Sequence, residues 1–146
     1  MTALARQLRA RVRLFALINA GAVVSWRGGE VLAGQFQGLA AGAGFLMSGI
    51  GLALWIVSAI ILTGQVLHAR KAGAFDLFKD AFARQLHRDA LVGAAAGAAL
   101  GYALALAVIG AGAGAGTERL TLPVAGAIAG FLIAWVVLDV RRNGRG

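Results

Sequence analysis

The sequence predicts an all-α integral membrane protein: four transmembrane helices forming two helical hairpins, joined by a cytoplasmic amphipathic helix. Three observations predict it. The chain of 146 residues is 60% hydrophobic and only 14% charged, where soluble domains carry about 25% charged residues; its mean hydropathy is +0.79. Its apolar residues fall in long runs without ionisable groups, as a lipid-facing helix requires. Its bases cluster in the segments between those runs. The length suits one membrane domain over residues 1–146.

The first segment places Arg6, Arg9, Arg11 and Arg13 ahead of LFALINAGAVVSW (14–26). That order resembles a signal peptide, with Ala20-Gly21-Ala22 imitating a cleavage site. The segment is read as retained, either as a short span over about residues 9–26 or as a helix lying at the interface. Thirteen apolar residues fall short of the roughly 20 a crossing needs, so the arginine-rich turn before them is recruited, its side chains snorkelling outward. RGGE (27–30) reads as a turn.

Residues 31–67 then run 37 positions without an ionisable group. As one helix they would reach about 55 Å, against a hydrocarbon core of about 30 Å. The run must therefore tilt, break at a glycine or project beyond the bilayer. The second span is placed at about 39–66, with Phe45 to Leu62 its most apolar part.

HARKAGAFDLFKDAFARQLHRD (68–89) carries most of the interior charge. Phe75, Phe78, Phe82 and Leu86 recur at spacings of three and four, one face of a helix over about 73–88. Asp76, Lys79, Asp80, Arg84 and Arg88 occupy much of the rest, and Arg70 and Lys71 add to the basic side just ahead of the helix. The combination suits docking on anionic lipid headgroups at the cytoplasmic face, or packing of the aromatic face against the protein's own helices. Asp80 and Arg84, four apart, can pair.

VGAAAGAALGYALALAVIG begins the third span, at about 91–111. GAGAGTERLTLP (112–123) reads as the connection, with Pro123 placed for the first turn of the next helix. The fourth span, about 121–139, is followed by Arg141, Arg142 and Arg145.

Orientation follows from counting. With four crossings and both termini on one side, that side holds 12 bases: Arg6, Arg9, Arg11, Arg13, Arg70, Lys71, Lys79, Arg84, Arg88, Arg141, Arg142 and Arg145. The other side holds only Arg27 and Arg119. Three crossings would divide them eight against six. The positive-inside rule favours four crossings with both termini cytoplasmic. The arginine-rich, Ala- and Gly-dominated composition points to the inner membrane of a prokaryote.

Gly34-xxx-Gly38-xxx-Gly42 and Gly93-xxx-Gly97-xxx-Gly101 repeat one spacing, and Gly126-xxx-Gly130 repeats half of it. Four residues is about one helical turn, so each series makes a groove that admits a second backbone. The grooves serve either to join copies of the chain or to pack its own spans. Gly-x-Gly-x-x-Gly is not matched at 110–116, and Gly116-Thr117 lacks the lysine of a phosphate loop, so neither nucleotide motif is present.

The polar residues within the spans, including Asn19, Gln35 and Gln37, either bond between helices or line a shallow outward pocket. His68 and His87 are the only histidines, and the chain has no cysteine. No nucleophile–base pair or metal-ligand set is legible, so no enzyme, cofactor or metal is expected. The pI near 11.7 is assigned to lipid-facing bases, and nucleic acid is not expected as a primary partner. The expected function is a non-enzymatic, helix-packing subunit of a homo-oligomer or larger membrane complex. The alternative is an oligomeric pore, channel or small-solute transporter, including a holin-like one.

Overall fold

The computed structural model describes residues 3–71, 81–110 and 118–143. It contains four helices: α1 (Ala3–Gln35), α2 (Leu39–Lys71), α3 (Ala81–Gly110) and α4 (Glu118–Asn143). Three of them, over Leu39–Lys71, Arg84–Ile109 and Leu120–Arg142, are long and apolar enough to cross a membrane.

The largest departure from the sequence reading lies at residues 27–30. No turn occurs there, and α1 runs on for 33 residues to Gln35. Side chains brace this stretch as helix: Trp26 Nε1 donates to Glu30 Oε1 at 2.8 Å, and Arg27 pairs with Glu30 one turn on. Gly29 is buried because α2 crosses over it. A Cβ there would stand 2.6 Å from the Gly44 carbonyl oxygen and 2.9 Å from Ser48 Cα. These glycines admit a neighbour instead of bending the chain.

The turn comes eleven residues after Arg27, at Gly38. Its φ of +66° is the left-handed conformation that glycine adopts without steric cost. The long uncharged run thus breaks at a glycine, one of the three outcomes its length required. The break also divides the series Gly34-xxx-Gly38-xxx-Gly42 between α1, a turn and α2, so these three glycines share no helix face.

Both hairpins are antiparallel. In the first, Gly29 meets Gly44, the Trp26 backbone meets Gly51, and Asn19 meets Ser58. In the second, Gly97 meets Gly126 and Gly93 meets Gly130. The hairpins join through α1 and α4, the two central helices. On α1 the buried positions Leu8, Val12, Ala16, Ala20 and Val23 follow helical periodicity. One cluster gathers Leu8, Val12 and Ala16 of α1 with Ala69 of α2, Leu86 and Ala90 of α3, and Trp135 and Val136 of α4. A second cluster nearer the α1–α2 turn joins Ala20 and Val23 to Ala125 and Ala129.

Elsewhere the apolar surface faces outward. Leu39 is 96% exposed, Phe45 70%, Val92 70% and Leu120 76%. Large aliphatic side chains pointing away from a protein's own core lose their favourable transfer free energy in water, and lipid removes that cost.

Two further boundaries differ from expectation. The start of the third helix is continuous with Ala81–Arg88, so this part of the anticipated surface helix is the first two turns of α3. Leu86 turns inward to the core at 3% exposure, packed against the protein's own helices. Residues 73–80 of that helix lie outside the described residues. Pro123 sits at the sixth position of α4, not in its first turn; α4 begins at Glu118, earlier than the apolar run alone suggested.

Candidate functional site

The functional candidates are the interior contacts that tie the four helices together, at three heights along α1.

At the end holding both chain termini, Asp139 of α4 is fully buried. Arg13 Nε donates to its Oδ2 at 2.6 Å, and a second Arg13 nitrogen reaches the Asp139 carbonyl oxygen at 3.3 Å. Arg9, one turn earlier on α1, lies 3.8 Å from Oδ1. The carboxylate is thus held from the same helix by two guanidiniums. At the same end Arg142 donates to Asp89 Oδ2 at 2.6 Å, linking α4 to α3. A half-exposed pair of this kind contributes little alone. Asp139 differs, because a charge without solvent depends on its partners. These five side chains bind three helices at one level.

Six residues further along α1, about 9 Å, Asn19 is buried and donates from Nδ2 to the Trp55 carbonyl oxygen at 3.1 Å and to Ser58 Oγ at 3.0 Å. Ser58 Oγ in turn donates to the Trp55 carbonyl at 3.1 Å. Asn19 therefore bonds between helices. Gln35 ends α1 and Gln37 is exposed in the turn, about 24 Å from Asn19 along the axis, so the three do not share a pocket.

The glycine contacts form two seams. In the α3–α4 seam a Cβ on Gly97 would collide with the Gly126 carbonyl, lying 2.8 Å from its carbon; one on Gly101 would lie 2.7 Å from the Leu122 carbonyl carbon. Gly93 and Gly130 are equally close. Backbones this near exchange Cα–H···O contacts and dense dispersion. The α1–α2 seam uses Gly29, Gly44 and Gly51, which the search for four-residue spacing missed. Gly44 and Gly51 are seven apart, two turns, a spacing that also preserves a face. Gly34 and Gly42, by contrast, have nothing within 4 Å of an added Cβ.

At the third height Arg27 lies over the Trp26 ring, 3.9 Å from its centroid, while Trp26 and Trp55 stand 5.3 Å apart. Arg27 borders two apolar clefts, one of about 320 Å³ between α1, α3 and α4, and one of about 260 Å³ between α1, α2 and α4. A third, of about 150 Å³, is lined from all four helices and includes His87, whose ring lies 6.2 Å from that of Phe131. His68 is exposed on α2.

The basic residues expected to dock on lipid fall at the terminus-bearing end. Arg70 and Lys71 are exposed at the end of α2, and Arg84 and Arg88 on the first turns of α3. Phe82 lies within α3; Phe75, Phe78 and Lys79 fall outside the described residues. Among the described residues no three metal-ligating side chains cluster. Set against known protein families, curated proteins and solved structures, the chain matches none.

Proposed function

We propose that the chain is a four-span, non-enzymatic membrane subunit that packs into a homo-oligomer or a larger complex, with both termini cytoplasmic in a prokaryotic inner membrane. Helix α1 packs antiparallel along α2 from Asn19–Ser58 to Gly29–Gly44, so a crossing by α2 carries α1 with it. The described bases Arg9, Arg11, Arg13, Arg70, Lys71, Arg84, Arg88, Arg141 and Arg142 belong to one end of the bundle, the orientation favoured for a cytoplasmic face.

The observation that carries the packing role is an unspent face of α2. Gly42, Leu46, Gly49, Ala53, Ile60 and Gly64 are all exposed and recur at helical spacing. An added Cβ at Gly42, Gly49 or Gly64 meets nothing. Glycines inside the hairpins are consumed by internal contacts; these remain open to a partner helix. The buried polar groups support packing over conduction, since Asn19 and Ser58 satisfy each other.

Gly49→Leu should reduce the mass of the detergent-extracted particle to that of one chain while leaving helix content unchanged. An unchanged, larger particle would refute assembly through this face, and a wild-type particle of one chain would refute the oligomer.

A further inference from the structure

The larger cleft is a trough. Along α4 its lining runs from Leu122 to Ile133, eleven residues or about 16 Å. Its walls are the glycine seam on one side and Val24 and Gly28 of α1 on the other. Arg27 is its sole ionisable lining residue. The trough begins near the end of α4 that starts with Glu118 and Arg119, and descends along the uncharged run Leu120–Leu138. That run measures about 28 Å, the thickness of a hydrocarbon core. Arg27 thus stands at the level of a membrane boundary, above an apolar channel leading inward.

The charge at the mouth has a direction. Glu30 lies three residues beyond Arg27, about 4.5 Å further from the trough, and the two side chains form an ion pair at the mouth whose anion is the outer, more exposed member (44% exposed against 23%). Read outward, the site presents apolar wall, then a cation, then an anion. A zwitterionic phospholipid presents the complementary order: acyl chain, phosphate, ammonium. An anionic phospholipid without the ammonium matches only the first two.

We propose that this trough is a binding site for a zwitterionic phospholipid of the outer leaflet, with an acyl chain between α1 and the α3–α4 seam, its phosphate on Arg27 and its ammonium on Glu30. Wedged there, the acyl chain covers the glycine seam and couples the two hairpins at the end opposite the Arg13–Asp139 pair. The site rests on the membrane reading and adds to it a specific lipid.

The full-length protein, purified in mild detergent, is titrated with phosphatidylethanolamine or phosphatidylglycerol, and bound lipid is counted by native mass spectrometry. Wild type binds phosphatidylethanolamine saturably and several-fold more tightly than phosphatidylglycerol. Arg27→Gln, which removes a charge-assisted contact, weakens phosphatidylethanolamine binding by about tenfold. Val24→Phe, a substitution at a position 54% exposed, fills the trough and weakens both lipids. Glu30→Gln abolishes the preference between them. Circular dichroism verifies helix content; if Arg27→Gln fails to fold, the other two variants decide. Non-saturable binding, or binding equal in wild type and the folded variants, overturns the proposal. So does a disulfide-linked dimer formed by Leu104→Cys, because a second copy would then fill the trough. Carbonate extraction of membranes separates this outcome from failure of the membrane reading: release of wild type into the soluble fraction refutes the latter, whereas retention with no lipid selectivity refutes only the site.

Discussion

Neutralising Asp139 tests whether the end of the bundle where α1 begins and α4 ends is held by charge. Asp139→Asn keeps the side-chain shape and removes the acceptor charge facing Arg13 at 2.6 Å and Arg9 at 3.8 Å. Removing one partner of a buried pair costs about 3–5 kcal/mol, because the other is left uncompensated. Here the lower end applies: the Arg13 side chain is 23% exposed and that of Arg9 17%, so both can move their heads toward water. The expected loss is about 3 kcal/mol. The assay is reversible unfolding in mixed detergent micelles, followed by the fluorescence of Trp135, one turn from Asp139 on α4. A double-mutant cycle with Arg13→Gln isolates the contact. The double variant should be more stable than the sum of the single losses predicts, with a coupling of about 1.5–3 kcal/mol for a hydrogen bond between charged groups. Additivity within about 0.5 kcal/mol would refute the reasoning, and would mean that the Arg13–Asp139 contact does not hold this level.

The glycine seams predict an asymmetry between identical substitutions. Gly97→Ala places a methyl against the Gly126 carbonyl and should destabilise the second hairpin by at least about 1–3 kcal/mol, the usual cost of overpacking; Gly34→Ala, which meets nothing, should change stability by less than about 0.5 kcal/mol. Equal effects in the same unfolding assay would refute the seam. Topology is tested by single cysteines in this cysteine-free chain: in intact cells a membrane-impermeant maleimide should label Gly38→Cys and spare both Ala3→Cys and Asn143→Cys. Labelling of Ala3→Cys together with Gly38→Cys would refute the four-crossing arrangement.

Hydropathy and charge placement are local quantities, and they were sufficient for the helical class and for the three long apolar helices, while leaving open whether residues 31–67 tilt, break or project. They were insufficient where two sites present the same local signal. Gly28-Gly29 between Arg27 and Glu30 looks more turn-like than Gly38, yet Gly29 is helical and Gly38 turns. What separates them is whether α2 lies over the glycine, a fact 15 residues distant in sequence at Gly44.

The candidate contacts divide in the same way. Gly93, Gly97, Gly101, Gly126 and Gly130 were legible because a four-residue repeat makes a groove on any helix. Which helix fills the groove was not, and the structure pairs these glycines with each other. Arg13 and Asp139 flank apolar runs and read as ordinary boundary charges, since nothing local relates residues 126 positions apart. Asn19 carried two readings until Ser58 appeared beside it. The sequence alone determined that three stretches are long and apolar enough to cross a membrane, because transfer free energy sums residue by residue. Only the tertiary structure decided which glycines, charges and amides meet, because a contact between helices depends on register and facing that no single segment encodes.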